Sequence, residues 1–236
     1  MISTIPKWLT SLFGQALQPN VKSIEIDALS PEIKRIRFKG DLSKWNMQLG
    51  YASVIRISET EFRNYTIASY DQVQGIFDVI FYINGKGIGS QKIGTLQKEE
   101  VLFISPPRGK RMYESSVHQQ VFFGDETSLG LAYSLFPLLK QNNHQFHFYF
   151  ELNPANNHLP AVLGLDNYTV KTKDKNLDTE KWNHLLDSST WIDWEEAAFI
   201  LTGNAITIQQ QRKILKERKA GKILSQGYWV EGKKGG

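Results

Sequence analysis

The chain has 236 residues, 41% hydrophobic and 22% charged, an ordinary folded balance at a length that suits two compact domains or one large barrel. Cysteine is absent and the five histidines form no His-x-x-x-His pair, which excludes disulfides, thiolate metal sites and cysteine nucleophiles, makes a metal site unexpected, and leaves redox chemistry to a bound cofactor. The net charge of +4 is uneven: residues 1–110 carry 14 Lys and Arg against 10 Asp and Glu, and residues 111–236 carry 14 of each, so neither half announces nucleic acid, while the first suits a phosphate-bearing cofactor or an anionic small substrate.

The opening segment places Ile5, Trp8, Leu9, Leu12, Phe13, Ala16 and Leu17 on one helical face, with Thr4 as a candidate cap, and predicts an amphipathic helix over 1–20. Lys7 interrupts its apolar stretch and no cleavage motif follows, against a signal peptide. No run reaches the roughly 18 apolar residues of a membrane span, so no integral membrane segment is expected and the cytoplasm is the expected compartment. From Val21 the pattern changes to short runs with a period near two: Ser23 to Ala28, Lys34 to Lys39, Ala52 to Ser58, Tyr65 to Tyr70, Phe77 to Ile83 and Val101 to Ile104. Six such strands at this spacing predict a small antiparallel β-barrel. Ser105 to Lys110, with two prolines and a glycine, breaks the pattern and reads as an interdomain linker.

Beyond it the elements alternate. Gln120 to Phe123 reads as a strand, Thr127 to Gln141 as a helix that Pro137 should kink or end, Gln145 to Leu152 and Asn167 to Thr172 as strands, Ala197 to Leu201 as a buried strand, Asn204 to Lys219 as a helix, and the region near Ile223 as a last strand. Alternation of this kind predicts a mainly parallel sheet with helices on its faces. The expected organisation is an N-terminal helix over 1–20, a barrel domain over 21–108 and an α/β domain over 109–236.

Three local constellations carry possible chemistry. Arg63-Asn64-Tyr65-Thr66 opens a strand with a cation for a phosphate, a ring to stack and a hydroxyl to donate; an ordinary exposed strand would give the same string. Lys86 and the glycines of Gly85-Lys86-Gly87-Ile88-Gly89-Ser90 follow a strand, and backbone and hydroxyl donors there would face an anion if Ser90 opens a helix; a glycine-rich hairpin end is the alternative. Gly124-Asp125-Glu126-Thr127 leaves a strand and enters a helix, where open α/β sheets bind nucleotides, although a capped acidic first turn explains the carboxylates equally well. Gly203-Asn204-Ala205 repeats that junction, a basic run including Arg212 and Lys213 follows on the last helix, and Gly227-Tyr228-Trp229 precedes Lys233 in the tail.

In order and spacing, the R-N-Y-T string, the turn ending Gly89-Ser90, the G-D-E-T string, G-N-A and the closing G-Y-W-V-E-G-K resemble the siderophore-interacting protein family, a branch of the ferredoxin-reductase-like flavoproteins, from about Val21 onward. The resemblance implies a two-domain α+β chain: an N-terminal antiparallel β-barrel that binds FAD, then a Rossmann-like α/β domain that binds NADH or NADPH. It implies reduction of an anionic ferric siderophore with release of iron(II). By residue, it implies cofactor contacts at Arg63, Asn64, Tyr65, Thr66, Gly87, Gly89, Ser90, Gly124, Asp125, Thr127, Gly203, Tyr228 and Trp229. Thr66, Asp125 and Glu126 are expected to tune the redox chemistry, and Lys86, Arg212, Lys213 and Lys233 to meet the substrate. Three positions depart from the family pattern: Gly130 stands where a proline is usual, Asn204 where a glutamate is usual, and the phosphate-loop region lacks its tryptophan. A general flavin reductase, a reductase fed by a reduced carrier protein and a nonenzymatic chelate-binding module are the alternatives.

Overall fold

Short runs of alternating apolar residues with turn chemistry between them give the strands of the first unit. The structure is a computed structural model that describes residues 17–173 and 192–232; residues 1–16 of the expected N-terminal helix and Lys233 lie outside the described residues, and 17–20, expected as its end, form a turn and a bend that lead into β1. Strand β1 (Val21–Ser30) turns at Pro31 and Glu32 into β2 (Ile33–Gly40), and β3 (Ala52–Arg56), β4 (Phe62–Asp71), β5 (Ile76–Tyr82), helix α1 (Ile88–Thr95) and β6 (Val101–Leu102) follow. The antiparallel sheet runs β3-β4-β5-β2-β1-β6. It is brought close to closure by the chain after β6, where Ile104 bridges Ile55 and Arg108 bridges Ala52.

That closure revises the expected linker. Ser105 donates its backbone N–H to the Val54 carbonyl at 2.9 Å, and Ala52 and Arg108 exchange both backbone hydrogen bonds at 3.1 and 3.0 Å, so the segment lines β3 as a sheet edge. Pro106 and Pro107 have no N–H to give, which confines the pairing to the residues flanking them. The division into two compact units falls between Arg111 and Met112.

The barrel is filled by Ile36, Phe38, Ile55, Phe77, Val79, Phe81 and Ile104, with Phe38 stacked on Phe77 at 5.3 Å. Asp78 is the buried charge of β5, and Arg37 and the Ser69 hydroxyl donate to it at 2.8 to 3.1 Å. A paired and hydrogen-bonded carboxylate of this kind is tolerated in a sheet that an unpaired one would disrupt.

The second unit, Met112–Glu231, alternates strand and helix. Its elements are β7 (Gln119–Gly124), α2 (Leu129–Gln141), β8 (Gln145–Leu152), α3 (Leu159–Val162), β9 (Tyr168–Thr172), β10 (Ala198–Asn204), α4 (Ala205–Glu217) and β11 (Lys222–Trp229). All five strands are parallel in the order β11-β10-β7-β8-β9. Val121, Phe123, Phe199 and Leu201 pack with Ile208 and Leu215 of α4, while Phe136 of α2 packs edge-on against Phe146 at 5.9 Å.

The helix expected to reach Gln141 does so as α2, which runs through Pro137, and its expected first residues Thr127 and Ser128 form a 3-10 turn ahead of Leu129. The missing N–H of Pro137 frees only the carbonyl one turn earlier, that of the half-exposed Tyr133. The last strand, expected near Ile223, extends to Trp229 because it follows β10 in register from Ala198 opposite Lys222 to Gly203 opposite Gly227 and, after a one-residue shift, pairs Trp229 with Asn204.

Candidate functional site

Each unit carries one constellation. In the barrel, β4 splits the expected quartet by simple alternation: Arg63 and Tyr65 share a side with their cross-strand partners Ile55 and Ser53, and Asn64 and Thr66 share the other with Val54 and Ala52. Tyr65 lies edge-on to Phe81 at 4.7 Å and joins the barrel core. Burial pushes its phenol up to about 12 despite the opposing pull of Arg63, so the ring stays neutral at any ordinary pH. Arg63 donates through Nη1 to the Phe62 carbonyl at 2.7 Å and to Glu61 Oε2 at 3.0 Å, which aims a mostly buried guanidinium along the strand.

The glycine turn meets this pair. Gly87 caps α1 with φ 83°, a conformation that favours glycine, and no side chain accepts from the first amides of the helix. Gly89 is buried beneath β4: a Cβ there would stand 3.0 Å from the Tyr65 hydroxyl and 3.2 Å from Arg63 Cγ. The Gly85 N–H donates to the Ser90 hydroxyl at 2.9 Å and the Lys86 N–H to Asn84 Oδ1 at 2.9 Å, so the loop is ordered by its own side chains while Lys86 stays exposed. The helix begins at Ile88, two residues before Ser90. The arrangement therefore offers an uncapped helix N-terminus, a guanidinium and a neutral aromatic side chain around one glycine, a donor set that fits the phosphates and ring of a flavin nucleotide.

In the α/β unit the strand order reverses between β7 and β10, the switch point beside which open sheets bind ligands. Here the geometry gives the expected residues internal partners. The Asp125 carboxylate accepts from the Thr127 N–H at 2.9 Å and the Thr127 hydroxyl at 2.5 Å through Oδ1, and from the Asn204 N–H at 3.1 Å and Trp229 Nε1 at 2.7 Å through Oδ2. One carboxylate thus ties together the ends of β7, β10 and β11. Gly203 is required beside it: with φ 116°, any Cβ would come within 2.6 Å of Asp125 Oδ2.

Glu126, fully buried, accepts from the Asn153 N–H at 2.6 Å and from Asn156 Nδ2 at 3.3 Å, and forms an ion pair with Lys173. The Lys173 ammonium also lies 5.7 Å from the centroid of the Trp229 ring. Asn204, where the family pattern has glutamate, caps α4 by accepting from the Ile206 and Thr207 amides at 2.8 and 3.3 Å. Arg212, on α4, donates to the Ser225 hydroxyl at 2.9 Å, and Lys213 is exposed on the same helix.

Sequence reasoning missed Glu61, Lys173 and Asn153. The first stands just before β4, two residues from Arg63, and is legible as an i, i+2 charge pair. The other two act across strands and leave no local signal.

Residues 20–113 match the model of the oxidoreductase FAD-binding domain. No curated protein matches the sequence. The structure is similar to that of the siderophore-interacting protein SipS from Aeromonas hydrophila, with a TM-score of 0.75 at 15% identity over 92% of this chain and 93% of that one. It is similar also to a siderophore utilization protein from T. fusca, with a TM-score of 0.74 at 18% identity over 92% of this chain and 94% of that one. A ferredoxin-NADP+ reductase from Plasmodium falciparum, crystallised as its H286L mutant, shares the fold at a TM-score of 0.67 and 13% identity over 89% of this chain and 95% of that one. A barrel whose residues fit the FAD-binding model, followed by a five-stranded parallel α/β unit, gives this chain the two-domain ferredoxin-reductase-like fold, which it shares with siderophore-interacting proteins.

Proposed function

We propose that the protein is an FAD-dependent reductase that takes electrons from NADH or NADPH and delivers them to an anionic ferric siderophore, releasing iron(II). The observation that carries the reading is the meeting of Arg63 and Tyr65 with the uncapped start of α1 at Gly89, inside the segment that matches an FAD-binding domain. Bound there, the flavin supplies hydride acceptance from the nicotinamide and one-electron delivery to the iron chelate.

The chain's own residues do the rest. The Arg63 guanidinium and the α1 amides, with Gly87, Gly89 and Ser90, neutralise and orient the phosphates. Tyr65 lies along the ring, while Asn64 and Thr66, which face the other side of β4, hold the strand that presents it. On the second unit, the Gly124 and Gly203 turns, Thr127, Tyr228 and Trp229 hold the pyridine nucleotide. Asp125 and Glu126 act there as positioning residues, since their carboxylates are already occupied by partners within the unit. Lys86, Arg212, Lys213 and Lys233 attract the anionic chelate. A donor of this kind makes the cytoplasm the working compartment. Similarity of fold to siderophore-interacting proteins supports the choice of substrate.

The test is spectroscopic and anaerobic. The purified protein, loaded with FAD, should show flavin bands that bleach on addition of NADH or NADPH and return when a ferric siderophore is added, with iron(II) captured by a chromogenic chelator. Bleaching reversed equally well by free flavin would indicate a general flavin reductase, and bleaching only by a reduced carrier protein a partner-fed one. A chain that takes up no FAD would overturn the reading. Arg63→Ala should weaken FAD binding by about 1.5 to 3 kcal/mol, the value of a charge-assisted phosphate contact; equal flavin retention in a fluorescence titration would remove Arg63 from the site.

A further inference from the structure

We propose that Glu151 reads the adenosine ribose of the electron donor and thereby selects NADH over NADPH; the proposal rests on the reductase reading above and names its donor. In a doubly wound sheet the group that meets the ribose stands at the carboxyl end of the second strand, next to the strand whose turn faces the pyrophosphate. The strand order makes β7 that first strand and β8 the second. Glu151 is the penultimate residue of β8. Gly124, the last residue of β7, pairs with Phe150, so Glu151 lies one step beyond it, level with the Asp125 turn.

Its carboxylate differs from its two neighbours. Asp125 and Glu126 are filled by donors, whereas Glu151 accepts no hydrogen bond and enters no ion pair among the described residues. It is nonetheless half-buried, and burial is the main cause that holds its carboxyl above the usual range, with Lys171 and Lys173 pulling down and Asp125 and Glu126 pushing up. A partly desolvated carboxylate without a donor is costly, and an ionised carboxylate can only accept. The vicinal hydroxyls of a ribose supply two donors at the distance one carboxylate spans.

Charge decides between the two donors. Lys171 stands opposite Glu151 in the β9 register, and Lys173 is committed to Glu126. Among the described residues, Asp125, Glu126 and Glu151 against Lys171 and Lys173 leave one negative charge in excess around this carboxylate. A 2′-phosphate would add more negative charge beside it and remove the 2′-hydroxyl donor, so NADPH loses on both counts.

The test separates this proposal from the reductase reading because it needs no electron transfer. ADP-ribose and its 2′-phosphate derivative are titrated calorimetrically into the full-length, FAD-loaded protein. ADP-ribose should bind at least about 10-fold more tightly, and Glu151→Gln, which keeps shape and removes charge, should bring the two within about 3-fold of each other. Lys171→Gln should widen the wild-type preference, a readout independent of whether the Glu151 variant folds. Preference for the 2′-phosphate derivative, equal affinity, no binding of either, or an unchanged ratio in Glu151→Gln would each overturn the proposal. Preferred binding of ADP-ribose with no bleaching of the flavin by NADH would uphold this assignment and defeat the reductase reading.

Discussion

At the scale of single residues, the carboxylates divide by what they touch. Glu126 has no exposed side-chain surface and faces an ammonium that is itself three-quarters covered. Removing one member of such a pair leaves the other buried without compensation. Lys173→Met should therefore lower stability by about 3 kcal/mol, measured by urea unfolding, while the double variant Lys173→Met with Glu126→Gln should recover much of the loss; a single variant as stable as wild type would show that Asn153 and Asn156 suffice for Glu126. The sequence marks Glu126 only as an acidic residue in a first turn, a role that capping explains without a partner. Lys173 lies 47 residues away, and its ammonium reaches Glu126 only because β9 and β7 flank β8. Arg63 and Gly89 were legible for the opposite reason. Each sits in a short string whose composition is unusual on its own, and the structure adds only that the two strings meet.

At the scale of elements, period and punctuation carried most of the information. β8 is read from Gln145 to Leu152 because its alternation is unbroken, and the structure gives the same limits. β11 reads short in the sequence because Ser225, Gln226 and Gly227 interrupt its apolar run, and because an edge strand paired on one side alone does not need two buried faces. The run after β6 reads as a linker from its prolines, although its flanking residues pair with β3. Asn204 illustrates how a departure from a family string can have a local cause, since its amide oxygen takes two of the first free amides of α4. Asn204→Ala should cost about 1 kcal/mol, seen as a lower midpoint in thermal unfolding, whereas Asn204→Asp should hold or improve it because a negative charge suits a helix N-terminus. No loss with alanine would mean that the two cap contacts are replaced by water at no cost.

For the whole molecule, separate cores in the two units, among the described residues, imply separable responses. The barrel core and the α/β core share no residue, and the flavin constellation lies entirely within the first unit. FAD should therefore raise the stability of the barrel, by about 2.7 kcal/mol at a hundredfold excess over its dissociation constant. Scanning calorimetry should show the FAD-dependent shift in one transition, and Arg63→Ala should shrink it. A shift of equal size in every transition would mean that the units unfold as one cooperative body. The fold class was legible because each unit has its own pattern, mainly a period of two in the barrel and an alternation of two and 3.6 beyond Arg111. The closure of the barrel and the bonding at the strand ends were not, because both depend on residues that meet only after the sheets have formed.

The bond from the Trp229 indole to Asp125 spans 104 residues of chain. On a ribosome adding roughly 5 to 20 residues per second, the Asp125 turn emerges some 5 to 20 seconds before the tryptophan that completes it. The barrel has all its strands by then and can settle during synthesis. The parallel sheet cannot, so for that interval β7 and β8 wait with apolar faces uncovered, and the second unit is the part of this protein that would most need a chaperone while it is being made.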